Sequence, residues 1–132
     1  PTRRSSDLAT GKDSATIRFT AIPEFQVGGA AHSVYRYGSS RKASNIYQEL
    51  VLPGEVGSKP TSWSFVSSIA DQSHFACYDY EGRQPPICSW SARYEEYIVI
   101  FHAWLIPERM SLGDIEKVIR VIDDKMRRYL GK

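Results

Sequence analysis

Cysteine is scarce in this sequence, which has only Cys77 and Cys88, eleven positions apart. A redox pair of the thioredoxin type has CxxC spacing, and a structural zinc site needs several ligands at close spacing. The histidines, His32, His74 and His102, show no HExxH pattern or other close ligand spacing. We therefore expect no metal site and no cofactor.

Long hydrophobic runs are absent as well. The longest nearly apolar segment, Tyr97–Ile106 (YIVIFHAWLI), is half as long as the roughly 20-residue helix that crosses a bilayer. Its length and composition predict a β-strand instead.

Catalytic motifs are also missing. There is no GxSxG elbow for a nucleophile, and Gly28–His32 (GGAAH) lacks the strand, loop and helix context of a phosphate-binding loop. We predict a turn at the two glycines. The sequence assigns no catalytic residue and leaves open whether the protein is an enzyme, with a non-enzymatic role favoured.

Charge of either sign is nearly balanced, with 17 Lys and Arg against 15 Asp and Glu. The first eight residues, PTRRSSDL, match the translated end of a common short-read sequencing adapter at every position. We therefore interpret residues 1–13 as an artefactual, disordered N-terminal segment. Without Arg3, Arg4 and Asp7 the net charge is about +1, too small to predict nucleic-acid binding. If residues 1–8 are not native, the native N-terminal signal is missing, and the question whether such a signal anchors the protein to a membrane stays open.

The remaining residues, 14–132, have the composition of one soluble globular domain, because 42% of the chain is hydrophobic and 24% charged. Alternating or apolar segments predict six strands. They are Thr16–Ile22, His32–Gly38, a weaker one at Thr61–Ala70, and a three-strand meander of His74–Tyr80, Ile87–Tyr94 and Tyr97–Leu105.

Two helices complete the pattern. Ser39 or Ser40 caps a first helix that ends at Pro53 and Gly54, and Ser111 with Asp114 forms a capping box for the last one. The apolar stripe of the last helix comprises Ile115, Val118, Ile119, Ile122, Met126, Tyr129 and Leu130. The order ββαββββα predicts an α+β fold: a mostly antiparallel sheet of about six strands with two helices packed on one face.

A two-residue turn at Glu95 and Glu96 would set the register of the last hairpin. It pairs Tyr94 with Tyr97 and places apolar residues opposite one another along a core face. No predicted helix remains to cover the second face. We predict a candidate binding surface there for a protein or a small molecule, formed by His74, Tyr78, Ser89, Ser91, His102 and Trp104. The other interpretation, which we favour, is that a long loop or the first strand covers this face or that these residues make ordinary cross-strand contacts.

The same face suggests an alternative function, a small-ligand receptor or a hydrolase-type enzyme that uses His74, Ser91 and His102. Asp71 could complete a triad with His74 and Ser91, although nothing in the sequence marks Ser91 as activated.

The cysteines occupy facing strands of one predicted hairpin and point to its core face. They form either a cross-strand disulfide, which we favour, or two buried free thiols. A disulfide would place the domain outside the cytoplasm.

The segment FACYDYEGRQPPICSWSARYEEYIVIFHAWLIPERMSLGDIEKVIRVIDDKM, residues 75–126, resembles small bacterial extracytoplasmic domains of lipoprotein type that have no assigned activity. The likeness extends over residues 32–130, and the strand order is distantly similar to the PsbP/Mog1 α/β/α sandwich. The resemblance implies a secreted or lipid-anchored domain that works by binding or scaffolding, and it implies no functional residue.

Overall fold

A computed structural model describes residues 13–22, 27–79, 82, 85–106 and 108–132, with the backbone alone up to Gly28. Within these residues one antiparallel sheet has five strands in the order β1-β2-β5-β4-β3. The strands are β1 (Asp13–Ile22), β2 (Val27–Arg36), β3 (Gln72–Tyr78), β4 (Ile87–Tyr94) and β5 (Tyr97–Trp104). The predicted N-terminal segment lies outside the described residues except for Asp13, which begins β1.

Two helical stretches accompany the sheet. The first helix, residues 40–54, consists of α1 (Ser40–Ile46), a π-helical segment (Tyr47–Val51) and α2 (Leu52–Gly54), and α3 (Leu112–Tyr129) is the last helix. Ser39 caps α1, and Ser111 with Asp114 forms the predicted capping box of α3. In the described part of the chain, no helix has the length and apolarity that spanning a membrane requires.

The register of the β4–β5 hairpin is the predicted one. Tyr94 pairs with Tyr97, and the pairing continues along both strands to Cys88 and Ala103. Glu95 adopts a positive φ of 55° in the turn, and the carboxylate of Asp71 accepts a hydrogen bond from the Glu95 backbone N–H at 2.7 Å. This contact stabilises a turn that lacks the favoured Asn-Gly pair.

The core face packs against α3. Ile115, Ile119, Ile122 and Met126 of α3 are buried there in one cluster with residues of β4 and β5 such as Phe101. Tyr129, which was predicted to belong to the stripe, is instead 70% exposed, and its hydroxyl lies 3.2 Å from that of Tyr97.

The first helix covers part of the second face of the sheet. The prediction that both helices pack on one face was therefore wrong. Tyr47 and Val51 of the first helix are buried in a second cluster with Tyr35 and Ile98. Since residues at even positions of β5 face away from α3, Ile98 belongs to the opposite face. The sheet therefore lies between two helical layers.

The strand count also differs from the prediction. Thr61–Ala70 forms turns and irregular backbone, so the order is ββαβββα with five strands. In this segment the Ser67 hydroxyl accepts hydrogen bonds from the backbone N–H groups of Ile69 and Ala70. These two N–H groups are therefore not available for the hydrogen bonds between strands of a sheet. The predicted turn at Gly28 and Gly29 was wrong too, because both residues lie within β2.

Candidate functional site

The six residues predicted to form a binding surface all lie on the second face of the sheet. His74 is directly opposite Ser91, and Ser89 is directly opposite His102. The first helix divides this face, because it packs over the end of the sheet that carries Ile98. The predicted surface is thus split into a covered part and an uncovered part.

Ser91 belongs to the covered part and is fully buried. Its hydroxyl lies 3.0 Å from the Tyr47 hydroxyl, which also donates to the Ser91 carbonyl at 3.3 Å. Burial raises the pKa of Tyr47 to about 12, so this phenol stays protonated at neutral pH. A serine enclosed in this way cannot reach a substrate from solvent.

The hypothetical triad is not assembled either. The Asp71 carboxylate binds the Glu95 backbone N–H and lies 3.4 Å from the Arg93 guanidinium. Within the described residues, the buried Nδ1 atom of His74 has no hydrogen-bond partner. Because Asp71 does not orient His74, the arrangement lacks the orienting group of a catalytic triad.

The uncovered part carries the other four predicted residues. Tyr78 and Trp104 lie on either side of Ile87 and are half-buried, whereas His102 is exposed. The Ser89 hydroxyl lies 3.4 Å from the Glu55 carboxylate. Across the residues that the structure describes, no three His, Cys, Asp or Glu side chains are grouped to hold a metal ion.

The predicted disulfide joins Cys77 to Cys88, with an S–S distance of 2.07 Å. The Cα atoms are 4.0 Å apart, because the two residues are direct partners in the β3–β4 register. The Cys77 backbone exchanges both of its hydrogen bonds with Ser58 on the outer side, at 2.9 and 3.0 Å. Cys77 and Cys88 therefore form a non-hydrogen-bonded pair, in which side chains of adjacent strands come closest.

A pocket of about 300 Å³ lies at the outer edge of β3, and of the six residues predicted to form the binding surface it includes His74. The chain that follows the first helix pairs with this edge at Ser58 and then bulges away from it. The pocket lies between this bulge and the strand. It is lined by Gly57, Lys59, Trp63, Phe65, Val66, Ser73, His74, Phe75, Ala76 and Trp90.

Aromatic rings form much of the wall. Trp63 is stacked on Phe75 with ring centroids 3.7 Å apart, and the Phe65 ring meets the Trp63 ring edge to face. The Arg120 guanidinium lies 4.6 Å from the centre of the Phe65 ring. Val66 is 71% exposed at the rim, so the wall presents apolar surface to solvent.

The far end of this wall is tied to α3. Ser67 donates a hydrogen bond to the Asp123 carboxylate at 2.6 Å, and the buried Tyr94 hydroxyl donates to the same oxygen at 2.5 Å. Burial and the neighbouring carboxylate both raise the pKa of Tyr94, so it remains a donor. The wall of the pocket is thereby fixed on the body of the domain.

The remaining histidine, His32, lies in β2 away from the pocket. Its Nε2 atom is buried and has no partner among the described residues. Burial lowers the pKa of His32, and the positive charge of Lys125 lowers it further. His32 is therefore neutral at physiological pH and serves packing.

One sequence signal could have revealed the pocket. Trp63 and Phe65 stand in the serine-rich segment Thr61–Ala70, for which the sequence predicts a weak strand. The spacing of Trp63 and Phe65 also suits a loop whose two rings fold onto an edge strand. Contacts with β3, which is distant in the sequence, decide whether the segment forms a strand or a loop.

No protein-family model matches this chain, and neither a curated protein nor a solved structure matches it.

Proposed function

We propose that this chain is a non-enzymatic binding domain that works outside the cytoplasm, as part of a secreted or lipid-anchored bacterial protein. The aromatic pocket at the outer edge of β3 is the observation that carries the proposal. It combines apolar walls with the charged Lys59 and the polar Ser73, the combination typical of ligand sites.

The location rests on the Cys77–Cys88 disulfide, since such bonds persist chiefly in oxidising compartments. The resemblance to bacterial extracytoplasmic domains agrees with this. The proposal assigns Ser91 no role as a nucleophile, because Ser91 is buried against Tyr47 and Asp71 binds the β4–β5 turn.

The proposal can be tested with 8-anilinonaphthalene-1-sulfonate, an anionic aromatic probe that suits an apolar pocket beside a lysine. In an NMR titration of the ¹⁵N-labelled, oxidised protein, we expect shifts at the Trp63 indole N–H and the Ser73 to Ala76 amides. Lys59→Glu should weaken binding about ten-fold, while Lys42→Glu on α1 should leave it unchanged. Shifts centred on His102, or equal binding by both variants, would contradict the proposal.

A further inference from the structure

The outer edge of β3 presents backbone groups that face away from β4. Cys77 directs its N–H and C=O outward to Ser58. Because these directions alternate along a strand, Phe75 and Ser73 also direct theirs outward. Pairing with this edge by the described residues is confined to the Ser58–Cys77 bridge.

Natural proteins usually protect such an edge with lysine, proline or a covering segment. The β3 sequence, QSHFACY, contains neither of those residues. Among the described residues, the chain that follows the first helix pairs with the outer edge of β3 at Cys77 alone, and the pocket lies beside Ser73 and Phe75. The unpaired backbone and the apolar pocket thus occupy the same place.

We propose that the ligand of this pocket is an extended peptide that adds to β3 as a sixth strand, an inference that rests on the proposed function of the pocket. The peptide backbone pairs with Ser73 and Phe75, and an apolar or aromatic side chain enters the pocket that Trp63 and Phe65 line. Lys59 favours an acidic residue beside that side chain. Backbone pairing supplies affinity in this mode of recognition, and the pocket supplies specificity.

A second copy of this chain fits less well. Edge-to-edge pairing would bring a whole sheet to within about 4.8 Å of β3. The wall that contains Trp63 and Phe65 borders the pocket on this side, and the roughly 300 Å³ between wall and strand suits one segment of chain.

The decisive variant is Ser73→Pro. It removes the outward N–H of an exposed edge residue without removing a bond to β4, and proline is tolerated at such positions. Ser73→Ala is the comparison variant, because it removes only the side-chain hydroxyl and keeps the backbone N–H. Heptapeptides are selected on the oxidised full chain from a random displayed library and then synthesised. We expect them to contain an aromatic residue next to an acidic one. Their Kd should rise about ten-fold more for Ser73→Pro than for Ser73→Ala.

A second measurement does not depend on how Ser73→Pro folds. N-methylation of the bound peptide, one position at a time, should weaken binding at every second residue, since only alternate N–H groups face β3. Failure to select a peptide, loss of this alternation, undiminished binding by folded Ser73→Pro, or concentration-dependent dimerisation through this edge would each overturn the inference. If the anilinonaphthalene probe still bound in the pocket, the proposed function would stand without the peptide.

Discussion

The hydroxyl groups of Tyr47 and Ser91 lie 3.0 Å apart and connect the first helix to the second face of the sheet. Both residues are almost completely buried, so each supplies the polar partner that the other needs away from water. This contact places the candidate nucleophile of the sequence in the structural core.

We expect Tyr47→Phe to lower the free energy of unfolding by about 1 to 3 kcal/mol, because it leaves a buried polar group at Ser91 without this partner. A double-mutant cycle with Ser91→Ala in urea should give a coupling energy of about 0.5 to 1.5 kcal/mol. Tyr129→Phe, at an exposed residue, serves as the control and should change stability little. Purely additive effects would show that the two hydroxyls do not interact.

Ile119 of α3 is fully buried, whereas Val121 of the same helix is 53% exposed. Ile119→Ala should lower the free energy of unfolding by about 2 to 5 kcal/mol, because it opens a cavity beneath the helix. Val121→Ala should cost less than about 1 kcal/mol. Similar losses for both variants in urea unfolding would mean that α3 presents another face to the sheet.

The Cys77–Cys88 bond closes a short loop, and its removal in Cys77→Ser/Cys88→Ser should lower stability by about 2 to 3 kcal/mol through the greater freedom of the unfolded chain. Urea unfolding with and without a phosphine reductant provides the measurement. Reduction should destabilise the wild type and leave the double variant unchanged. An identical response of both proteins would argue against the bond.

His32 predicts a dependence of stability on pH. Its pKa in the folded protein is lowered from 6.5, so the unfolded chain binds a proton more readily and stability rises with pH in this range. This contribution is fully present above about pH 6.5 and is lost as the pH falls through the lower folded pKa. We expect the wild type to lose more stability than His32→Gln between about pH 7 and pH 5. Parallel pH profiles of the two proteins would contradict the assignment.

The sequence by itself determined the features that depend on neighbours along the chain. The Ser111–Asp114 capping box follows from residues within one helical turn, and the register from Tyr94–Tyr97 to Cys88–Ala103 follows from a two-residue turn and strict alternation. That register also assigned Cys88 to the core face, whereas the pairing of Cys77 with Cys88 belongs to the β3–β4 register. In each case one turn or one pleat fixes which atoms meet, so local spacing is sufficient.

Only the tertiary structure decided which surfaces remain open. The near-continuous apolar run of β5 is typical of a central strand that is covered on both faces, but its composition does not identify the covering element. The first helix takes the second face through contacts of Tyr47 and Val51 with Ile98, and it buries Ser91. Trp63 folds onto Phe75 instead of joining the sheet, and this leaves a pocket beside the outer edge of β3, with which the described residues pair only at Cys77. Such outcomes depend on competition among distant partners for the same apolar surface, which spacing along the chain does not encode.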